Sequence, residues 1–117
     1  MRIISGKYKG KPITFVKSTI TRPLKDSVKE NIFNIISHSN LFDIEIKNAN
    51  ILDAYSGVGS FGLECVSRGS GKITFIERDR KAIGILKENI IALSALNSTN
   101  VVTEDITEFI NKKIITK

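Results

Sequence analysis

The run Asp53-Ala54-Tyr55-Ser56-Gly57-Val58-Gly59-Ser60-Phe61-Gly62 sets an acid just ahead of three spaced glycines. It follows the apolar pair Ile51-Leu52 and runs into Leu63-Glu64-Cys65-Val66. A glycine turn between a strand and a helix lets a ligand approach bare backbone, because glycine has no Cβ and tolerates positive φ. The first turn of the helix beyond it presents unpaired N–H groups. The residue types and their spacing therefore describe a ligand loop.

Read literally, Gly57-x-Gly59-x-x-Gly62, with Glu77 about 20 residues further on, is a dinucleotide fingerprint. Asp53 argues for a different ligand. A carboxylate at the mouth of the loop repels a pyrophosphate, whereas it suits the sulfonium and ammonium of S-adenosylmethionine, which has no phosphate. That cofactor is the favoured ligand; a dinucleotide and a purely structural loop are the alternatives. Two further acids agree. Glu77 closes the apolar run Lys72-Ile73-Thr74-Phe75-Ile76, where a carboxylate can accept from both hydroxyls of an unphosphorylated ribose. Asp105 closes Asn100-Val101-Val102-Thr103-Glu104, where it can accept from the exocyclic amine of adenine. Taken singly, each acid reads equally well as a solvated loop charge or a helix cap. Together, three acids after three successive strands match the rule that ligands bind outside the carboxyl edge of a parallel sheet.

The elements that must position these groups alternate strand and helix. Helices are expected over 61–68, closed by Gly69, and over 80–95, with Ala82, Ile83, Leu86, Ile90 and Leu93 facing inward. A last helix begins near Thr107. This is a βαβαβ unit on a parallel sheet, in the α/β class. Ahead of it, Ser27 and Glu30 predict a capping box, opening a helix whose inner face is Val28, Ile32, Ile35 and Ile36. Earlier still, Arg2-Ile3-Ile4-Ser5 and Pro12-Ile13-Thr14-Phe15-Val16 read as two short strands around a glycine-punctuated turn, hence a small β-hairpin.

Composition fits one modest domain of 117 residues. No apolar run approaches the ~20 residues of a membrane span, and the cytoplasm is the expected compartment. Cys65, the one cysteine, reads as a buried small apolar residue, and His38 as a surface or capping residue; neither suggests a metal site. The net charge of +6 is unevenly spread. Residues 1–29 hold eight basic side chains and one acid, a charge of +7; the remainder hold ten basic and eleven acidic, a charge of −1. Arg2, Lys7, Lys9, Lys11, Lys17 and Lys25, with Tyr8 interleaved, read as a footprint for a phosphate backbone, the alternative being a solvated basic edge.

The segments Met1–Gly10, Thr21-Arg22-Pro23 with Asp26–Ile35, Ile51–Glu64, Ser67-Arg68-Gly69 and Phe75–Asp79 together resemble the bacterial 16S ribosomal RNA guanine-N2 methyltransferase family, over essentially the whole chain and in order. The glycine motif alone fits any class I methyltransferase; the arm and the Thr-Arg-Pro helix are more specific. The resemblance implies a Rossmann-like half-domain of three parallel strands with flanking helices, preceded by the hairpin arm. Residues 1–25 would form the basic arm and 26–117 the S-adenosylmethionine-binding domain. Asp53, Ser56, Gly57 and Gly59 would line the methionine side, with Thr21 and Arg22 near its end. Glu77 would hold the ribose and Asp105 the adenine, with Arg78 and Ile106 also expected to bind the cofactor. The partner implied is ribosomal RNA or the small ribosomal subunit, and the reaction is methylation of a guanine N2.

The family's catalytic motif, Asn/Asp-Pro-Pro-Tyr/Phe, has no counterpart, because the only prolines are Pro12 and Pro23. The expectation is therefore the cofactor-binding half of a methyltransferase: a truncated gene product, an expressed portion or a fragment of a longer protein. Its first strand would form an exposed apolar edge that promotes self-association. A non-catalytic RNA-binding remnant and a dinucleotide module of the NAD type are the alternative functions.

Overall fold

A computed structural model describes residues 1–16, 26–38 and 45–115. Three parallel strands form one sheet in the order β1 (Ile51–Asp53), β2 (Ile73–Ile76), β3 (Thr99–Val102). Ile51 lies opposite Ile73, and Ile73 opposite Thr99. Parallel neighbours need long crossovers; α2 (Ser60–Ser67) and α3 (Arg80–Ala92) supply them, and α4 (Ile106–Ile115) follows β3. The central strand buries Ile73, Phe75 and Ile76, which is why its sequence is mainly apolar, interrupted only by the partly buried Thr74. β1 is an outer strand of this sheet, and Leu52 on it is half exposed.

Two elements depart from the sequence reading. The third strand ends at Val102, because the acids at 104 and 105 suit turns and caps better than a ladder. Asp105 therefore does not close the strand. It precedes α4, and its Oδ1 accepts from the Glu108 N–H at 2.7 Å in the manner of an N-cap. The first helix, α1 (Asp26–His38), includes Ser27 rather than being capped by it, so the expected capping box is not formed. Its inward face is Lys29, Ile32, Phe33 and Ile36, whereas Val28 and Ile35 are exposed. Helical periodicity permitted either face. What selects this one is Phe33 stacked on Phe61, ring centroids 5.0 Å apart, and an acid waiting for Lys29.

Among the described residues of the arm, the expected hairpin is a single antiparallel bridge, Arg2 with Pro12, with no strand on either side of its turn. Ile3 N–H to Lys11 O and Ile13 N–H to Met1 O complete the pairing. Its stability comes from what it lies on. Gly6, at φ +88°, sits so close that a Cβ would meet the Ser67 carbonyl oxygen at 1.9 Å. Lys7 N–H donates to Ser67 O, Tyr8 N–H to Ser67 Oγ, and Ser67 Oγ to Ser5 O. Ile3 and Ile13 share one apolar core with Leu63, Phe75 and Leu86.

Beneath the arm lies Glu64 of α2, with no exposed surface. Its carboxylate accepts from Ile4 N–H at 2.9 Å, Ser5 N–H at 3.1 Å, Arg68 Nε at 2.9 Å and Lys29 Nζ at 3.2 Å. Lys29, one of the eight basic side chains counted in residues 1–29, is also fully buried, and so adds nothing to a basic surface. Removing one partner of a buried ion pair strands the other charge and costs about 3–5 kcal/mol. Glu64→Gln keeps the shape, removes the charge and is expected to lose stability on that scale in urea unfolding. A loss below ~1 kcal/mol, typical of exposed pairs, would show that the cluster does not hold the arm.

Candidate cofactor site

From the end of β1 at Asp53 the chain turns through Gly57 (φ +54°) and Gly59 (φ +92°) into α2. At Gly57 the position of a Cβ is open space, so the backbone is bare on that side. At Gly59 a Cβ would stand 2.5 Å from Leu86 Cδ1, so conformation and packing both demand glycine. Gly62 lets α2 settle on the Phe75 ring, 2.3 Å from where its Cβ would be.

The end of β2 holds this loop. Ser56 N–H donates to Ile76 O at 3.1 Å, and Gly57 N–H to Glu77 Oε1 at 2.8 Å. Glu77 Oε2 accepts from the N–H groups of Arg78 and Asp79 at 3.0 and 2.9 Å. Asp79 then caps α3, accepting from Ala82 N–H at 2.9 Å. Glu77 thus fastens two loops together, with carboxylate lone pairs left over for a ligand. Asp53 Oδ2 and Ser56 Oγ are buried without a hydrogen-bond partner among the described residues. Burial pushes the Asp53 carboxyl above its ordinary 3.8; a bond from the Gly62 N–H works against this and the Glu77 charge adds to it.

An open cleft of about 330 Å³ lies at this edge, within the size range of small-molecule sites. Ala54, Tyr55, Ile76, Glu77, Arg78, Glu104, Asp105, Ile106 and Thr107 line it. Four of the expected residues, Glu77, Arg78, Asp105 and Ile106, therefore meet in one place. Asp53, Ser56, Gly57 and Gly59 flank it along the chain without lining it. Thr21 and Arg22 lie outside the described residues. Tyr55 and Glu104 were missed, although each adjoins a residue that was singled out. Tyr55 stands on the rim, 82% exposed. Glu104 Oε1 accepts from Lys112 at 2.7 Å, while its Oε2 is buried without a partner among the described residues.

The lining carries three carboxylates and one guanidinium, Arg78, whose Nη1 is 3.7 Å from Asp105 Oδ2. The cleft is therefore net negative. Such a lining disfavours a pyrophosphate and accommodates a ligand with cationic groups and free hydroxyls.

On the arm, Lys7, Lys9 and Lys11 are exposed, and Lys7 Nζ lies 5.0 Å from the centroid of the half-buried Tyr8 ring. Arg2 is paired with Asp26 at 3.1 Å. Lys17 and Lys25 lie outside the described residues. Cys65 is buried and its thiol pushed up to about 12, chiefly by that burial, so it is unreactive. His38 is exposed at the end of α1. Among the described residues no group of three potential metal ligands occurs, and no helix is long and apolar enough to cross a membrane.

Residues 1–117 match the family described as conserved hypothetical protein 95. The chain is 40% identical over 105 residues to "Putative rRNA methyltransferase YlbH" of Bacillus subtilis, covering 90% of this chain and 54% of that protein. It is 40% identical over 97 residues to "Ribosomal RNA small subunit methyltransferase D" of Buchnera aphidicola subsp. Baizongia pistaciae, covering 83% and 47%. The solved structure of "Putative methyltransferase yhhF from Escherichia coli" is similar at a TM-score of 0.77 and 31% identity, over 93% of this chain and 55% of that one. The chain spans about half the length of the curated relatives it matches.

The raised Asp53 value has a consequence for pH dependence. The folded chain holds this proton more tightly than the unfolded one. The stability it contributes is complete below 3.8 and is lost as pH rises through the raised value. Asp53→Asn cannot ionise, so its stability relative to the parent chain should grow as pH rises and the difference should vanish in acid. Urea unfolding at a series of pH values measures this. A difference that does not change with pH would show that Asp53 is not held in a desolvated site.

Proposed function

Because this chain belongs to the family described as conserved hypothetical protein 95, we propose that it carries the donor-binding and RNA-contacting part of an S-adenosylmethionine-dependent methyltransferase acting on a guanine N2 of small-subunit ribosomal RNA. The observation that carries this reading is the carboxylate-lined cleft beside the glycine loop. S-adenosylmethionine supplies an electrophilic methyl group on a sulfonium, and its cationic end, its ribose hydroxyls and its adenine amine would each meet an acid of this chain. Asp53, with an oxygen lacking a partner, would pair with the cationic methionine end, beside Ser56, Gly57 and Gly59. Thr21 and Arg22 would lie near that end. Glu77 would accept from the ribose hydroxyls through the lone pairs not used on Gly57, Arg78 and Asp79. Asp105 Oδ1 caps α4, which leaves Oδ2 for the adenine amine, with Arg78 and Ile106 alongside.

Lys7, Lys9, Lys11 and Arg2, with Lys17, Lys25 and Tyr8, would carry the RNA backbone. Phosphate contacts of this kind hold and orient a nucleic acid without reading its sequence. A guanine N2 is a poor nucleophile, since its lone pair is delocalised into the ring, so transfer needs groups that accept its hydrogens and an aromatic residue that stacks on the extruded base. The Asn/Asp-Pro-Pro-Tyr/Phe motif that does this in the family resembled is not in this sequence. The role proposed for these residues is accordingly to hold the donor and to seat the RNA.

Calorimetry with S-adenosylhomocysteine and with NAD tests the first half. The methionine-derived ligand is expected to bind more tightly, and Asp53→Ala to weaken it by about 1–3 kcal/mol through loss of a charge-assisted contact; tighter NAD binding would overturn the reading. The second half is tested by RNA affinity against salt. Neutralising Lys7, Lys9 and Lys11 together should flatten the slope by about 2 to 3 units if each meets a phosphate. An unchanged slope would make the arm a solvated edge.

A further inference from the structure

Two buried polar side chains that take no part in the cleft join the basic arm to the glycine loop. Asn89 on α3 is 3% exposed. Its Oδ1 accepts from the Thr14 N–H, and its Nδ2 donates to both Thr14 O and Val58 O, all at 2.9 Å. Lys29 on α1 donates to Arg2 O at 2.6 Å and to Ser60 Oγ at 3.2 Å. On the arm side both side chains grip backbone, at Thr14 and at Arg2. On the loop side they grip the two residues that bracket Gly59. Shifting the arm would part Thr14 from the buried Asn89 amide and Arg2 O from the buried Lys29 ammonium, leaving both side chains short of a partner, which buried polar groups rarely tolerate. The position of the arm and the shape of the loop therefore form one two-ended arrangement.

Resting on the function proposed above, we propose that Asn89 and Lys29 are positioning residues through which RNA seated on the arm and the donor held by the glycine loop strengthen each other's binding. Linkage makes the effect reciprocal: whatever factor RNA gives the donor, the donor gives RNA. Neither side chain needs to touch either ligand.

The test is a ratio. S-adenosylhomocysteine affinity of the full chain is measured with and without a saturating mixed-sequence RNA hairpin. In the parent chain RNA should tighten the ligand by about 5-fold or more, the lower end of ordinary coupling. Asn89→Ala should bring the ratio near unity while RNA alone still binds with the parental salt slope. Ser60→Ala removes one hydroxyl, leaves Lys29 its bonds to Arg2 and Glu64, and should lower the ratio with the fold retained. A purely structural role would alter unfolding midpoints and leave the ratio unchanged. If the parent chain binds both ligands at a ratio of unity, or if the folded variants keep the parental ratio, the inference falls alone. If the parent chain binds neither ligand, the proposed function falls and the inference with it.

Discussion

Glu64 is a carboxylate without exposed surface at which four donors converge, two from the arm backbone, one from α1 and one from the next turn of its own helix. A lone ion in such a place would be prohibitively costly. It is sustainable only while Ile4, Ser5, Lys29 and Arg68 are all present, so it dictates where each must be. Apolar replacements of buried ion pairs are often no less stable, which argues that the cluster's contribution here is position rather than energy. The Arg68 guanidinium, 4.3 Å above the Phe33 ring, carries the same constraint outward into the aromatic stack with Phe61. Because Glu64 lies one turn into the helix that the glycine loop opens, the arm is registered against the loop before any ligand is considered.

The loop itself is held from two sides. The end of β2 supplies Ile76 O and Glu77 Oε1, and α3 supplies Leu86 against Gly59 and Asn89 to Val58. The glycines that make the turn possible would otherwise leave it the most variable part of the chain, since glycine loses the most freedom on folding. Fastening its backbone at several points reduces the ordering left for a ligand to impose. Glu77 is therefore both a scaffold residue and a candidate ligand contact, and the two roles use different lone pairs of one carboxylate.

What could be read from the sequence, and what could not, divides along sequence separation. The glycine loop, the βαβαβ alternation, the buried Cys65 and the meeting of Glu77 and Asp105 follow from local spacing plus the rule for parallel sheets, whereas Arg78 and Ile106 entered with the family resemblance. The inward face of α1 does not, because periodicity offered two stripes and the choice was made by Phe61 and Glu64, about a helix and a strand further along the chain. Lys29 looked like one more surface charge for the same reason. The hairpin was expected from its own residues, yet a bridge suffices because Ser67 and Glu64, some sixty positions away, receive the arm's N–H groups. Asp105 misled differently: a residue that ends a strand and one that caps a helix look alike until the helix start is known.

The distribution of charge sets a division of labour. A cleft lined by three carboxylates, with Asp53 behind it, attracts a cationic donor and repels a polyanion. On the function proposed, attraction of RNA would have to originate elsewhere, and the exposed lysines of the arm are where the excess positive charge lies. Opposite potentials on one small molecule would pull RNA toward the arm while keeping its phosphates out of the donor site. Such a separation works only if the two regions stay in fixed relation, since a loose arm would let its own cations neutralise the cleft. The buried contacts at Glu64, Lys29 and Asn89 hold the arm backbone in place. The electrostatic arrangement and the polar core beneath the arm are thus two aspects of one requirement, that a basic surface and an acidic pocket coexist within a single short chain.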